Sequence, residues 1–292
     1  MITTRYGLHH ITSADTSKLS FSASDYSKFK FGCKNIAREF GFDLAKGFLE
    51  GIEHKLESLG QIVVVSSPYQ FIPTATFAMK DYFVQKLNYA LMLKKLPVVE
   101  EARIYRKVTY REDYGGMSAE ERMNLIGNDS FYVDAVFLKG KTVIMMDDVY
   151  ITGSHERMIK KMLEAQNVQA SSIYFIYYAI LMNKSVAPQI ENDLNHHSIH
   201  SLQDINKIIH QGNFLFNTRV VKFILNADHQ EFLTFIHQQD SVFINTLCHL
   251  SIGNSYHEIP QYNDNLSYIL YRNKMVRNPV DMDVNYLVNF EN

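Results

Sequence analysis

Two adjacent carboxylates, Asp147 and Asp148, close an apolar run and are followed by Thr152, Gly153 and Ser154 within VIMMDDVYITGSHERMI, residues 143–159. Neighbouring carboxylates suit hydrogen bonding to a diol and water-mediated binding of Mg²⁺. Gly153 lets the backbone turn tightly and approach a ligand closely. Backbone N–H groups at a helix start, with the hydroxyls of Thr152 and Ser154, make a pocket for an anion such as phosphate. A sugar phosphate carries both kinds of group on one molecule.

The elements around the segment must place these groups at one edge. Val143 to Asp148 reads as a buried strand, and apolar spacing after the loop predicts a helix from about Ser154 to Gln166. Upstream, Ile62-Val63-Val64-Val65 is too short for a helix and reads as a strand buried on both faces, ending in Ser66-Ser67-Pro68. Helices are expected from about Asn35 to Leu59, with Gly60 as C-terminal cap, and from about Ala75 to Leu93. SSIYFIYYAILM supplies a further buried strand. Strands alternating with helices predict an α/β fold: a mostly parallel sheet flanked by helices, Rossmann-like in its core. In such sheets ligands bind beyond the carboxyl ends of the strands, where the Asp-Asp segment ends.

Residues 1–30, rich in Ser and Thr, are expected to form an extended or partly ordered arm. Residues 31–190 form the α/β domain, and residues 191–292 a helical C-terminal region whose Tyr256, Tyr262, Tyr268 and Tyr271 suit packing, with a substrate hood and a homodimer surface as alternatives.

The thirteen residues from Val143 to His155 resemble the signature that binds 5-phosphoribosyl 1-diphosphate (PRPP) in type I phosphoribosyltransferases. They depart from it at Ile151 and His155, where hydroxyl residues are usual. Upstream, Arg106, Lys107, Arg111, Gly115-Gly116, Glu121-Arg122, Asn124 and Phe131 follow the order of parts seen in ComF-type phosphoribosyltransferases. The resemblance implies an enzyme that displaces pyrophosphate from the ribose anomeric carbon with a nitrogen acceptor, Mg²⁺ serving as cofactor. It places Asp147 and Asp148 on the ribose hydroxyls and the metal, and Ile151, Thr152, Gly153, Ser154 and His155 on the 5′-phosphate. Ser66 and Ser67 would meet the pyrophosphate, with Arg106, Lys107 and Arg111 assisting its departure. A non-catalytic sensor of PRPP or a nucleotide on the same fold is the alternative.

Other chemistries find less support. The chain has no G-x-x-x-x-G-K-[ST] segment for a P-loop, and no H-E-x-x-H. His196, His197 and His200 have no acidic or cysteine partners at metal-ligand spacing apart from Asp193, and read as surface or capping residues. The formal charge of −2 over 292 residues gives no global basic field for nucleic acid. The longest nearly unbroken apolar run, Ile173 to Met182, is about half the roughly 20 residues a membrane span needs. Cys33 and Cys248 are expected as reduced thiols in a cytoplasmic protein.

Overall fold

The computed structural model describes residues 2–106 and 131–277. Lys107 and Arg111, with Gly115-Gly116, Glu121-Arg122 and Asn124, lie outside the described residues. The chain divides into two compact units, Met1–Val220 and Val221–Asn292.

The first unit is built on a five-stranded sheet of β1 (Ile2–Ile11), β2 (Ile62–Ser66), β3 (Glu100–Glu101), β6 (Thr142–Tyr150) and β7 (Ser172–Leu181), ordered β1-β7-β6-β2-β3. Every pairing in it is parallel. A small antiparallel ribbon joins β4 (Tyr105–Arg106) to β5 (Phe131–Tyr132). The helices of this unit are α1 (Ala23–Lys30), α2 (Lys34–Ile52), α3 (Ala75–Leu93), α4 (Ala135–Leu138), α5 (Ser154–Ala165), α6 (Ile190–Asn195) and α7 (Leu202–His210). α8 (Thr218–Leu225) contains the division between the units.

Strand alternation divides the core in two. Val64, Ile144, Met146, Ile176 and Tyr178 face α1, α2 and α3, packing against Tyr26, Phe40, Leu44, Phe48 and Phe83. Val63, Val65, Val143, Met145, Phe175 and Tyr177 face the opposite side, against Ile159, Met162 and Leu163 of α5. Both faces being covered explains why the central strands read as continuous apolar runs.

Two elements differ from the sequence reading. Residues 1–30 are not an arm: β1 adds an edge strand beside β7, and α1 follows. Thr3 and Thr4 are β-branched residues that suit a strand, and Tyr6 and Leu8 alternate onto the α1–α3 side of the sheet. Second, the expected helix to Leu59 ends as α-helix at Ile52 and continues as a 3₁₀ segment, Glu53–Leu59. Leu56 and Leu59, both buried, are three residues apart, the spacing that stacks side chains in a 3₁₀-helix. Gly60 ends this segment with φ 64°.

In the second unit, α9 (His229–Ile236), α10 (Ser241–Gly253) and α11 (Asn263–Arg277) are helical as expected, but the contact division falls at residue 220 rather than near 190. Asp228 and Asp240 cap α9 and α10 by accepting backbone N–H groups. Tyr256 and Tyr262 are buried with ring centroids 5.3 Å apart, so their apolar area goes into packing. Both cysteines are free and buried. Among the described residues no helix is long and apolar enough to cross a membrane.

Candidate active site

β2 leads the chain outward to β3 at one edge of the sheet, whereas β6, on the other side of β2, leads to β7. The strand order therefore reverses between β2 and β6, which is where open parallel sheets form a ligand crevice. Ser66 ends β2 there with Ser67 just after it, and Asp147 and Asp148 lie within the last four residues of β6, which runs on to Tyr150.

Asp147 joins the two strands. The Ser67 hydroxyl donates to its Oδ1 at 2.6 Å, and Nδ1 of His155, in the first turn of α5, lies 2.6 Å from its Oδ2. Its Oδ1 also accepts the Asp148 backbone N–H at 3.0 Å, and the Thr76 hydroxyl of α3 lies 3.4 Å away. Burial alone would raise the Asp147 pKa. The positive charge on His155, with hydrogen bonds from His155 and Ser67 and the more distant charge of Lys30, reverses this and holds it well below the usual carboxylate range.

Asp148 is 5% exposed. The Lys30 ammonium lies 2.5 Å from its Oδ2, and the fully buried Tyr26 hydroxyl donates to the same oxygen. Burial, and then the negative charge of Asp148, push the Tyr26 phenol well above its ordinary pKa, so it stays protonated as a donor. Thr76 approaches Asp148 Oδ1 at 3.4 Å.

Gly153 takes φ 70° and ψ 10° as N-cap of α5. A side chain there would also collide with Tyr150, because a Cβ would lie 2.4 Å from the phenolic oxygen. Thr152 Oγ1 and Ser154 Oγ are 3.0 Å apart, and Arg157 donates to the Thr152 carbonyl and to Ser154 Oγ, both at 2.9 Å. The turn thus presents two hydroxyls, a helix N-terminus and a guanidinium, all of them groups that bind phosphate. Beneath it the Glu156 carboxylate is 4% exposed and accepts two hydrogen bonds from Arg5, both at 2.8 Å. Tyr177 donates to it at 2.9 Å and Lys160 lies 2.7 Å away.

The structure brings Ser67, Asp147, Asp148 and Thr152 to His155 to one edge, with Ser66 lining a small cavity of about 10 Å³ beside Asp147, His155 and Glu156. Ile151 instead packs, partly buried, against the core cluster of α1–α3. The Arg106 backbone N–H donates to the Tyr69 carbonyl at 3.3 Å, which sets β4 beside the loop that follows β2. Arg103 crosses the Tyr69 ring at 4.0 Å and the Tyr105 ring at 4.6 Å and donates to the Tyr69 and Gln70 carbonyls, pinning that loop.

Sequence reasoning missed Tyr26, Lys30, Thr76, Arg5, Glu156, Arg157 and Arg103. Two had a local signal: Tyr26 and Lys30 are four apart, so a helix there presents both on one face. Among the described residues no group of three or more His, Cys, Asp or Glu comes together as a metal site. The near oxygens of Asp147 and Asp148 already face His155 and Lys30. The pair therefore does not fit direct coordination of Mg²⁺ by both carboxylates, since Asp148 would have to give up its ion pair with Lys30 and Asp147 its contact with the His155 ring.

An open parallel sheet with a carboxylate pair and a Thr-Gly-Ser turn at its switch point is the architecture of a type I phosphoribosyltransferase. The chain belongs to the ComF-like phosphoribosyltransferase family, whose model, described as PRTase ComF-like, matches residues 2–269. No curated protein matches it. Solved structures similar to it include a hypoxanthine phosphoribosyltransferase from Staphylococcus aureus (10% identity, 50% of this chain and 75% of that one, TM-score 0.33). A hypoxanthine-guanine phosphoribosyltransferase from L. donovani shares 10% identity over 50% of this chain and 68% of that one, with TM-score 0.32. A hypoxanthine phosphoribosyltransferase from Trypanosoma cruzi shares 14% over 51% and 75%, with TM-score 0.31. Likenesses this distant carry no argument about the site.

Proposed function

We propose that this site binds PRPP and transfers its phosphoribosyl group to a nitrogen acceptor, releasing pyrophosphate. The observation that carries the reading is Asp147, fixed by Ser67 and His155 at the switch point and followed five residues later by the left-handed turn at Thr152-Gly153-Ser154. That order matches a ribose diol and its 5′-phosphate. Asp147, kept ionised by its partners, accepts hydrogen bonds from the ribose hydroxyls and stabilises the positive charge that develops as the bond to pyrophosphate breaks. Thr152, Gly153, Ser154 and Arg157 hold the 5′-phosphate, so binding energy away from the reacting carbon fixes the ring. Ser66 and Ser67 adjoin the pyrophosphate, and Arg106, Lys107 and Arg111 compensate its charge as it leaves. Asp148 serves the site from within the core, anchoring α1 through Lys30 and Tyr26. Mg²⁺ belongs to this proposal as a companion of the pyrophosphate oxygens, which supply ligands of the kind Mg²⁺ favours.

The second reading is a non-catalytic sensor of PRPP or a nucleotide. It is favoured by Asp148, whose ion pair with Lys30 and hydrogen bond from Tyr26 occupy it inside the protein. Titration calorimetry with PRPP, with and without Mg²⁺, followed by a pyrophosphate-release assay over a panel of nitrogen bases, separates the two. Transfer predicts Mg²⁺-dependent binding and turnover, both lost in Asp147→Asn. Binding without turnover across the panel selects the sensor. No binding at millimolar PRPP eliminates both.

A further inference from the structure

The Thr-Gly-Ser turn sits over a buried negative charge, an awkward arrangement for an anion site. Glu156 is the third residue of α5, and its carboxylate is 4% exposed. A phosphate dianion at this helix start would be repelled by it unless something cancels the charge. The largest contribution comes from the far edge of the sheet. Arg5 lies on β1, whose register sets it opposite Phe175 of β7. Its Nε and Nη2 each donate to a different Glu156 oxygen at 2.8 Å, the forked geometry that lysine cannot supply. The same guanidinium lies 4.1 Å from the centre of the Tyr150 ring. Tyr150 in turn packs so closely on Gly153 that a Cβ there would be 2.4 Å from its phenolic oxygen. Arg5 thus shares with Lys160 the compensation of the charge below the turn, and it alone also braces the ring that shapes it. Tyr177 and Lys160 complete the Glu156 shell.

We propose that Arg5 is a positioning residue for phosphate binding: by pairing with Glu156 and stacking on Tyr150, it makes the turn Thr152-Gly153-Ser154 able to accept a dianionic phosphomonoester. This rests on the reading of that turn as the 5′-phosphate site and adds a residue outside the signature segment. It predicts a pattern of signs that simple damage to the fold does not give. Arg5→Met leaves Glu156 under-compensated and weakens ribose 5-phosphate binding by at least about tenfold. Glu156→Gln removes the repulsion, so the single variant binds at least as tightly as the parent. The Arg5→Met/Glu156→Gln double variant recovers most of the loss. Arg5→Lys keeps the charge but loses the fork and falls between.

The test is titration calorimetry of the full chain with ribose 5-phosphate, with inorganic pyrophosphate as the comparison ligand and thermal melts confirming that each variant is folded at the assay temperature. The expected result is weaker ribose 5-phosphate binding in Arg5→Met, rescue in the double variant and unchanged pyrophosphate binding. Parent binding that Arg5→Met leaves unchanged, or a double variant as weak as Arg5→Met, overturns the role of Arg5 while sparing the phosphate site. A parent chain that binds PRPP but not ribose 5-phosphate overturns it as well. A parent that binds neither overturns the site together with the inference. If Arg5→Met does not fold, Glu156→Gln decides alone: clear weakening contradicts charge cancellation, and equal or tighter binding supports it.

Discussion

Replacing Lys30 by Met should destabilise the first unit. Lys30 and Asp148 are 13% and 8% exposed, so their contact is a buried ion pair. Removing one partner of such a pair typically costs about 3–5 kcal/mol, because the other charge is left behind. A domain of this size shifts Tm by about 2–4 °C per kcal/mol, so Lys30→Met should lower Tm by roughly 6–20 °C.

The assay is thermal unfolding followed by near-ultraviolet circular dichroism at pH 7, comparing the parent, Lys30→Met and Lys30→Met/Asp148→Asn. The double variant leaves no unpaired charge and keeps a carbonyl to accept from Tyr26, so it should recover most of the loss at pH 7. A Lys30→Met penalty below about 1 kcal/mol at pH 7 would refute the buried-pair account. So would a double variant no more stable than the single one.

Gly153→Ala should cost at least about 1–2 kcal/mol for its left-handed backbone alone, and more for the Cβ set 2.4 Å from the Tyr150 oxygen. Adding Tyr150→Phe removes that oxygen and should return part of the loss, as urea unfolding would show. Acid should also weaken the first unit through Glu156. Burial pushes its pKa up, but the hydrogen bonds from Arg5, Lys160 and Tyr177 outweigh this and bring it to about 2 from 4.5. Because the folded value is the depressed one, this stability is complete above about pH 4.5 and is lost as pH falls toward 2. The shift corresponds to about 3 kcal/mol, reduced to roughly half by solvent screening because Arg5 and Lys160 are 42% and 40% exposed. Glu156→Gln should therefore flatten the acid limb of a stability–pH curve measured in urea, and an unchanged limb would contradict the assignment.

Much of this site was legible in the residues because its chemistry is contiguous. A buried strand, two carboxylates and a glycine turn into a helix occupy one short segment, and the β-branched run at 62–65 marks the strand beside it. What could not be read is what holds the carboxylates. Lys30 and Tyr26 lie 118 and 122 residues from Asp148, and although their spacing puts both on one helix face, nothing local names Asp148 as their partner. Arg5 lies 151 residues from Glu156 for the same reason. β1 was hidden by its position at the sheet edge, where only alternate residues enter the core and Thr, Arg and His fill the rest. The Ser and Thr content of residues 1–30 has the character of a loop, although Thr suits a strand as well. The 3₁₀ end of the second helix was equally hidden, since leucines three apart fit either helix type.

Strand geometry also explains why two identical neighbours have such different surroundings. Successive side chains of β6 point to opposite sides of the sheet. Asp148 follows Ile144 and Met146 toward the layer of α1, α2 and α3, where Tyr26 and Lys30 enclose it. Asp147 follows Val143 and Met145 toward α5, where His155 reaches it from the same helix start that carries the phosphate turn. A buried carboxylate is tolerated only with a permanent partner. Asp148 has one in Lys30, whereas His155, which holds Asp147, is 36% exposed at the edge of the crevice. A ribose diol can therefore take over contacts at Asp147 without unpairing a charge in the core. On this argument Asp147→Asn weakens ligand binding far more than it weakens the fold, and Asp148→Asn does the reverse.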